Sequence, residues 1–360
     1  MNKAIRMFLN YLWQSILFWT FAMLLWAMFR FYGIESEEGI TISADFRQGM
    51  QMKNILPLFA LAGFLMGIFY ATVEFAFERY NSKRRSIGLT IVIKTLIYLF
   101  FIILIATSMI ELGTNLFGLQ KNNDPGWWRH DKGFWITTLY ILFTSLIFSF
   151  IRIANEKFGK GVFLKMLLGR YKKPQEEKRI FMFLDLKSST AIAEALGHFK
   201  YSQLIQDCFY DLNDIVPKYA AEIYQYVGDE AVLSWPYHRG LANTNCVALF
   251  FAFQNVLKSR NSYYLDKYGL VPEFKAGLHG GKLMVAEVGV VKKELAFHGD
   301  VINTSARIQA ECNKYNVTVL ISEELKKNLP VDSKYSTKSI GNLLLKGKKK
   351  ELNVFTILQG

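Results

Sequence analysis

Cysteine is scarce in this sequence. Only Cys208, Cys246 and Cys312 occur in 360 residues, all in the C-terminal half and without ligand-like spacing. That excludes a disulfide-stapled scaffold and fits a reducing cytosol. Also missing is any aromatic stacking motif beside the basic residues, so the net charge of +13 does not read as a nucleic-acid footprint. No nucleic-acid partner is expected. Beyond about residue 155 long apolar runs disappear, and the chain reads as an ordinary water-facing domain. The basic residues instead gather beside the apolar runs, at Lys83, Arg84 and Arg85 and then at Lys157, Lys160, Lys165, Arg170, Lys172 and Lys173. There they would face an anionic membrane surface.

Four apolar runs are present: Phe8–Phe31, Ile55–Phe77, Ile87–Ile110 and Phe134–Ile153. Each supplies about the 20 residues that a helix needs to cross a hydrocarbon core. The first is too long for a removable signal peptide and lacks a small-residue cleavage site. Glu35, Glu37, Glu38 and Asp45 follow the first run, whereas Lys83-Arg84-Arg85 follows the second. The positive-inside rule then places the N-terminus, that basic turn and the C-terminal half in the cytosol of a multi-pass protein of the cell membrane. Glu74 and Lys94 sit within neighbouring antiparallel runs at similar depths; they either pair or snorkel to headgroups. Trp127, Trp128 and His130 lie in an outer loop that could bind an unknown ligand or simply anchor at the interface.

The expected organisation is a four-helix transmembrane bundle (1–154), a cytosolic linker (155–178) and an α+β domain (179–360). In the linker, Phe158, Val162, Phe163, Met166, Leu167 and Leu168 recur at helical spacing up to Pro174, giving a signal-transducing helix or a passive tether. Strands are expected at Arg179–Leu186, Glu273–His279, Leu283–Val288 and Val317–Ile321, with hairpins over Ala221–Trp235 and Leu343–Leu358. Helices are expected at Ala191–Val216, Thr244–Ser259 and Val301–Tyr315. A hairpin interrupts the alternation, which implies helices packed against one sheet.

Several residues suit phosphate chemistry. Asp185 ends an apolar strand and precedes the small-residue turn Ser188-Ser189-Thr190, an arrangement fitted to a cation and a polyphosphate at a helix start. Asp229 sits at the tip of a hairpin; if that hairpin pairs with the first strand, both carboxylates reach one edge and could hold two magnesium ions about 4 Å apart. Asn303 and Arg307, four apart, share a helix face and suit charge on a transferring phosphoryl group. Lys346 offers a further phosphate contact. Alone, each of these features has an ordinary structural reading.

In series they resemble the class III adenylate and guanylate cyclases. The matching stretches are FMFLDLKSST (181–190), YQYVGDEAVLSW (224–235), KAGLHGG (275–281), HGDVINTSARIQ (298–309) and LLKGKKKELNVF (344–355), in the family's order. The resemblance implies a ferredoxin-like, palm-like cyclase fold. It implies that Asp185, Asp229 and the Leu186 carbonyl hold two Mg²⁺ or Mn²⁺ ions per site, and that Ser188, Ser189 and Thr190 cradle the triphosphate. Asn303 and Arg307 would act on the transition state, and Lys346 on phosphate. The aspartates would come from one protomer and Asn303, Arg307 and Lys346 from its partner, so a homodimer is expected. The implied reaction turns ATP into cyclic AMP and pyrophosphate.

The sequence departs from the family where the base is read. Gln225 stands where adenylate cyclases carry Lys, and Ala296 where they carry Asp or Thr; the Glu and Cys of guanylate cyclases are absent too. A Gln amide can serve either purine. GTP is therefore the alternative substrate, and a non-enzymatic cyclase-like receptor the alternative function.

Overall fold

The computed structural model describes residues 3–36, 52–80, 87–117, 129, 132–158, 162–291, 293–330, 334–348 and 350–360. Trp127, Trp128, His130 and the basic turn Lys83–Arg85 lie outside them. Two compact units divide the chain, Met1–Ile153 and Ala154–Gly360.

The first unit contains α1 (Lys3–Ser36), α2 (Met52–Tyr80), α3 (Ile87–Phe117) and the greater part of α4 (Lys132–Phe158). Their stretches Tyr11–Phe29, Met52–Phe77, Leu96–Gly113 and Gly133–Arg152 are long and apolar enough to cross a membrane. Each of these stretches overlaps one of the four expected runs. Phe21, Leu139, Phe143 and Leu146 are more than three-fifths exposed on the outside of the bundle, as surfaces in contact with lipid would be. Trp19, Met66, Tyr70, Tyr98, Ile102, Ile141 and Phe148 fill its inside. α1 crosses α2 at close range because Gly63 and Gly67 carry no side chain there. A Cβ on Gly67 would stand 2.5 Å from Ile16 Cα, and one on Gly63 2.6 Å from Thr20 Cα.

Glu74 and Lys94 do pair. Lys94 Nζ donates to Glu74 Oε2 at 2.7 Å, and Tyr98 Oη donates to Oε1 at 2.7 Å. Arg152 Nη1 approaches Oε2 at 2.9 Å, so one carboxylate joins α2, α3 and α4. The Arg152 guanidinium also lies 4.6 Å from the Tyr11 ring centroid on α1.

After the end of α4, the second unit continues with α5 (Val162–Leu167) and is built on one eight-stranded sheet. Its strands are β1 (Gln175–Leu186), β2 (Glu222–Val227), β3 (Glu230–Pro236), β4 (Phe274–Val288), β5 (Glu294–His298), β6 (Val319–Ser322), β7 (Tyr335–Leu343) and β8 (Leu352–Gln359). The order is β2-β3-β1-β4-β6-β8-β7, with β5 pairing the far half of β4. β1 is antiparallel to both β3 and β4, whereas β4 and β6 run parallel.

Alternation along β1 assigns the two faces. Ile180, Met182, Leu184 and Leu186 enter a core with α6 (Ser189–Ile215) and α8 (Asn245–Ser259), to which Leu204, Leu212, Phe250 and Phe253 contribute; α7 (Tyr237–Leu241) and α9 (Asn261–Tyr268) flank it. Phe181 and Phe183 point the other way, into a smaller cluster with Val232, Leu283, Val285 and Val301 of α10 (Asp300–Glu311). α10 presses close on β4: a Cβ on Gly277 would fall 2.2 Å from Gln309 N. A short α11 (Glu323–Asn328) follows β6.

Three expectations need correction. The strands at Glu273–His279 and Leu283–Val288 are one continuous β4, whose pairing with β1 runs unbroken through Gly280 and Gly281. The closing hairpin is β7–β8, and β7 ends where it was expected to start. β7 is mostly exposed and polar, so it carries no alternating apolar signal. The helix expected from Ala191 starts at Ser189 and is broken at Gly197, whose φ of 71° is left-handed.

Candidate active site

The register of β1 sets the site. Asp185 pairs with Glu230 on β3 and with Lys275 on β4. Lys275 Nζ lies 3.2 Å from Asp185 Oδ2, and Gln309 Nε2 of α10 donates to the same oxygen at 2.9 Å. Asp229 occupies the β2–β3 turn, which the β3–β1 pairing carries to the same edge. Its Oδ2 is buried without a hydrogen-bond partner.

Negative charge accumulates here. Burial raises the Asp185 carboxyl above the ordinary carboxylate value, although Lys275 opposes the shift. Burial, then the charges of Asp185 and Asp229, push the Glu230 carboxyl up to about 7. Burial and the Asp229 charge likewise raise the Tyr201 phenol. Among the described residues no group of three His, Cys, Asp or Glu side chains forms a complete metal cage. Two carboxylates, one with a buried oxygen that lacks a hydrogen-bond partner, nonetheless fit divalent cations whose remaining ligands are backbone and substrate oxygens.

Leu186 closes β1 with its side chain in the main core. Ser188 then turns the chain with φ 58° into α6, whose first residues are Ser189 and Thr190; the Ser188 side chain does not cap the helix. The first-turn N–H groups, positive ends of the helix, therefore lack that cap and suit an anion.

A second set of residues gathers around α10. Asn303 is exposed and Arg307 half-buried. Gly347, in the turn of the exposed Lys346, would bring a Cβ to 3.3 Å from Arg307 Nη2, so the guanidinium lies against that turn. The turn is closed by a 2.9 Å bond from Lys348 N to the Leu345 carbonyl and tied to α10 by a Lys348–Asp300 ion pair. Gln309, which reaches Asp185, is two residues from Arg307 and so about 200° away around the helix at roughly 100° per residue. The acidic group and the Asn303–Arg307 face thus lie on different sides of α10.

Gln225 follows a bulge in β2. Ile223 pairs with Leu233 and Gln225 with Val232, so Tyr224 is the extra residue. Gln225 shares the face of its partner Val232, which is also the face of Phe181, Phe183 and Asp185. Ala296 on β5 pairs with Ala286 on β4. Their neighbours meet: the Tyr224 and Phe297 rings are 4.9 Å apart. Sequence reasoning missed Lys275 and Gln309, although both lie in the quoted stretches. Only the strand register and the close α10–β4 packing bring them to Asp185.

A family model described as the adenylate and guanylate cyclase catalytic domain matches residues 171–359. Adenylate cyclase 2 of Rhizobium meliloti (strain 1021) is 36% identical over 222 residues, which cover 62% of this chain and 61% of that protein. An adenylate cyclase of Anabaena cylindrica is 24% identical over 185 residues, 49% of this chain and 36% of its own length. The chain thus spans less than two thirds of these curated relatives. Among solved structures, a bacterial light-regulated adenylyl cyclase superposes with a TM-score of 0.53 at 18% identity, over 64% of this chain and 67% of that one. That likeness concerns the fold.

Proposed function

The chain belongs to the adenylate and guanylate cyclase catalytic-domain family, and we propose that it converts ATP to cyclic AMP and pyrophosphate. The observation that carries this reading is the pair of residue groups: acidic residues at the β1 edge, and Asn303, Arg307 and Lys346 on the other side of α10. Neither alone can both hold a metal-bound triphosphate and stabilise its reacting phosphorus. A two-fold homodimer would set the acidic half-site of one protomer against the Asn/Arg/Lys half-site of its partner, giving two composite sites.

Asp185, Asp229 and the Leu186 carbonyl would hold two divalent cations, Mg²⁺ or Mn²⁺, which when bound favour ionisation of the ribose 3′-hydroxyl and offset triphosphate charge. The turn at Ser188, Ser189 and Thr190 receives the phosphates on its first-turn N–H groups. Asn303 orients the ribose, and Arg307 stabilises charge growing on the α-phosphate oxygens. Lys346 binds the terminal phosphates. The 3′-oxygen forms its bond to the α-phosphorus as the bond to the bridging oxygen breaks. Pyrophosphate leaves, and the hydroxyl proton passes to solvent. Positioning and charge supply nearly all the catalysis.

GTP is the second reading, and Gln225 leaves it open: its exposed amide serves guanine nearly as well as adenine, while Ala296 offers no polar atom. We further propose that the four N-terminal helices anchor the protein in the cell membrane, with residues 155–178 as the connector and the catalytic domain from 179 onward in the cytosol. Reporter fusions after Gly360 then read cytosolic, and fusions within 122–131 external. The function itself is tested by assaying the full chain with ATP and GTP in Mg²⁺ and Mn²⁺. Cyclic product from ATP is expected; cyclic product from GTP alone would reassign the base, and none from either would leave a non-enzymatic receptor.

A further inference from the structure

The second unit carries an outward face that its own packing does not use. In α5 and the turn after it, Met166 and Tyr171 point inward, against Phe181, Val232 and Leu283. Tyr171 is 2% exposed; its carbonyl accepts from Glu287 N at 2.9 Å, and its hydroxyl donates to Glu177 Oε1 at 2.9 Å. These contacts fix which side of the segment faces out. On that side Leu164, Leu167 and Leu168 are 59%, 67% and 75% exposed. Lys165, Arg170, Lys172 and Lys173 are exposed around them.

Residues 157–173 contain no Asp or Glu, so the leucines are ringed by one sign of charge. A second copy of the same segment would bring lysine against lysine with no acidic partner, which disfavours self-pairing. An anionic leaflet supplies both missing partners, phosphates for the cations and an acyl boundary for the leucines. The chain permits that placement. The apolar run of α4 ends at Arg152, six residues before the helix ends at Phe158, roughly 9 Å at 1.5 Å per residue. α5 starts at Val162, a link of at most roughly 14 Å at 3.5 Å per residue.

We propose that Leu164, Leu167 and Leu168, with their cationic rim, dock on anionic phospholipid headgroups and hold the start of the catalytic unit flat against the membrane surface. This rests on the membrane anchoring proposed above. Cys208, Cys246 and Cys312 are buried free thiols, pushed by burial up to about 12, so an added surface cysteine takes a thiol-directed spin label selectively. The full chain is placed in nanodiscs with and without phosphatidylglycerol and labelled singly at Leu168→Cys, at Phe143→Cys in the bundle, or at Phe199→Cys, an exposed site on the catalytic unit.

With anionic lipid, the Leu168 label should show a severalfold higher oxygen-to-nickel accessibility ratio than the Phe199 label. That excess should vanish in neutral lipid or when Lys165, Lys172 and Lys173 become Gln. A Leu168 label as nickel-accessible as Phe199 in anionic lipid overturns the proposal. So does strong spin–spin broadening with low access to both reagents, which assigns the face to a second copy. A Phe143 label outside lipid means that the anchoring reading itself has failed.

Discussion

Gln309 Nε2 donates to Asp185 Oδ2 at 2.9 Å, and this bond lies on the side of α10 that faces the acidic edge. Because Gln309 is 6% exposed, its donor has no water to fall back on. Gln309→Leu keeps the volume and removes the donor. The loss of about 1 kcal/mol of positioning should raise the Mn²⁺ concentration for half-maximal activity roughly fivefold. The far side of α10, and hence kcat at saturating metal, should change little. Unchanged metal dependence would remove Gln309 from the positioning of Asp185.

Glu74 joins three helices through Lys94, Tyr98 and Arg152. Glu74→Gln leaves two cations in an apolar setting with a neutral partner. The weakened charge-assisted bonds cost roughly 1.5–3 kcal/mol, so the melting temperature of the full chain in detergent should fall. A variant that melts with wild type would mean that both cations simply reach headgroups.

His279 is buried, and its Nδ1 lies 2.7 Å from Ser322 Oγ. Burial, aided by Lys348, lowers its titration to about 4 from an ordinary 6.5. The unfolded chain therefore binds a proton near 6.5 that the folded one refuses until about 4. Stability should be lost as pH falls through that window, by on the order of 3 kcal/mol from this group. Urea unfolding from pH 7 to 5 should show a shallower loss in His279→Asn; equal slopes would clear His279 of the effect.

Base choice is tested at Gln225 and Ala296. Gln225→Lys with Ala296→Asp should strengthen the preference for ATP over GTP by roughly 1–3 kcal/mol, read as the ratio of kcat/KM values. An active double variant with an unchanged ratio would show that these residues do not face the base.

Much of this was legible in the sequence because the signals were local. The apolar runs mark the membrane-length helices, and the stretch ending at Asp185 reads as a buried strand from its unbroken apolar residues. Asn303 and Arg307 share a face by spacing alone. What escaped depended on distant pairing. Lys275 meets Asp185 through strand register, and the bulge at Tyr224 turns Gln225 to the Asp185 face by adding one residue. β7 escaped because an exposed edge strand needs no apolar alternation. Arg152 escaped because its partner stands on a helix far away in sequence.

The shared active site is the central claim, and subunit complementation tests it most directly. Asp185→Ala should disable the acidic half-site and Arg307→Ala the other, so each variant alone should lose most activity. In a mixed two-fold dimer one site collects both lesions and the other neither. Random pairing makes about half the dimers mixed, each with one intact site, so co-expression should restore about a quarter of wild-type activity. No recovery in a preparation where co-purification demonstrates mixed dimers would mean that each chain builds its own site, contrary to the arrangement across α10.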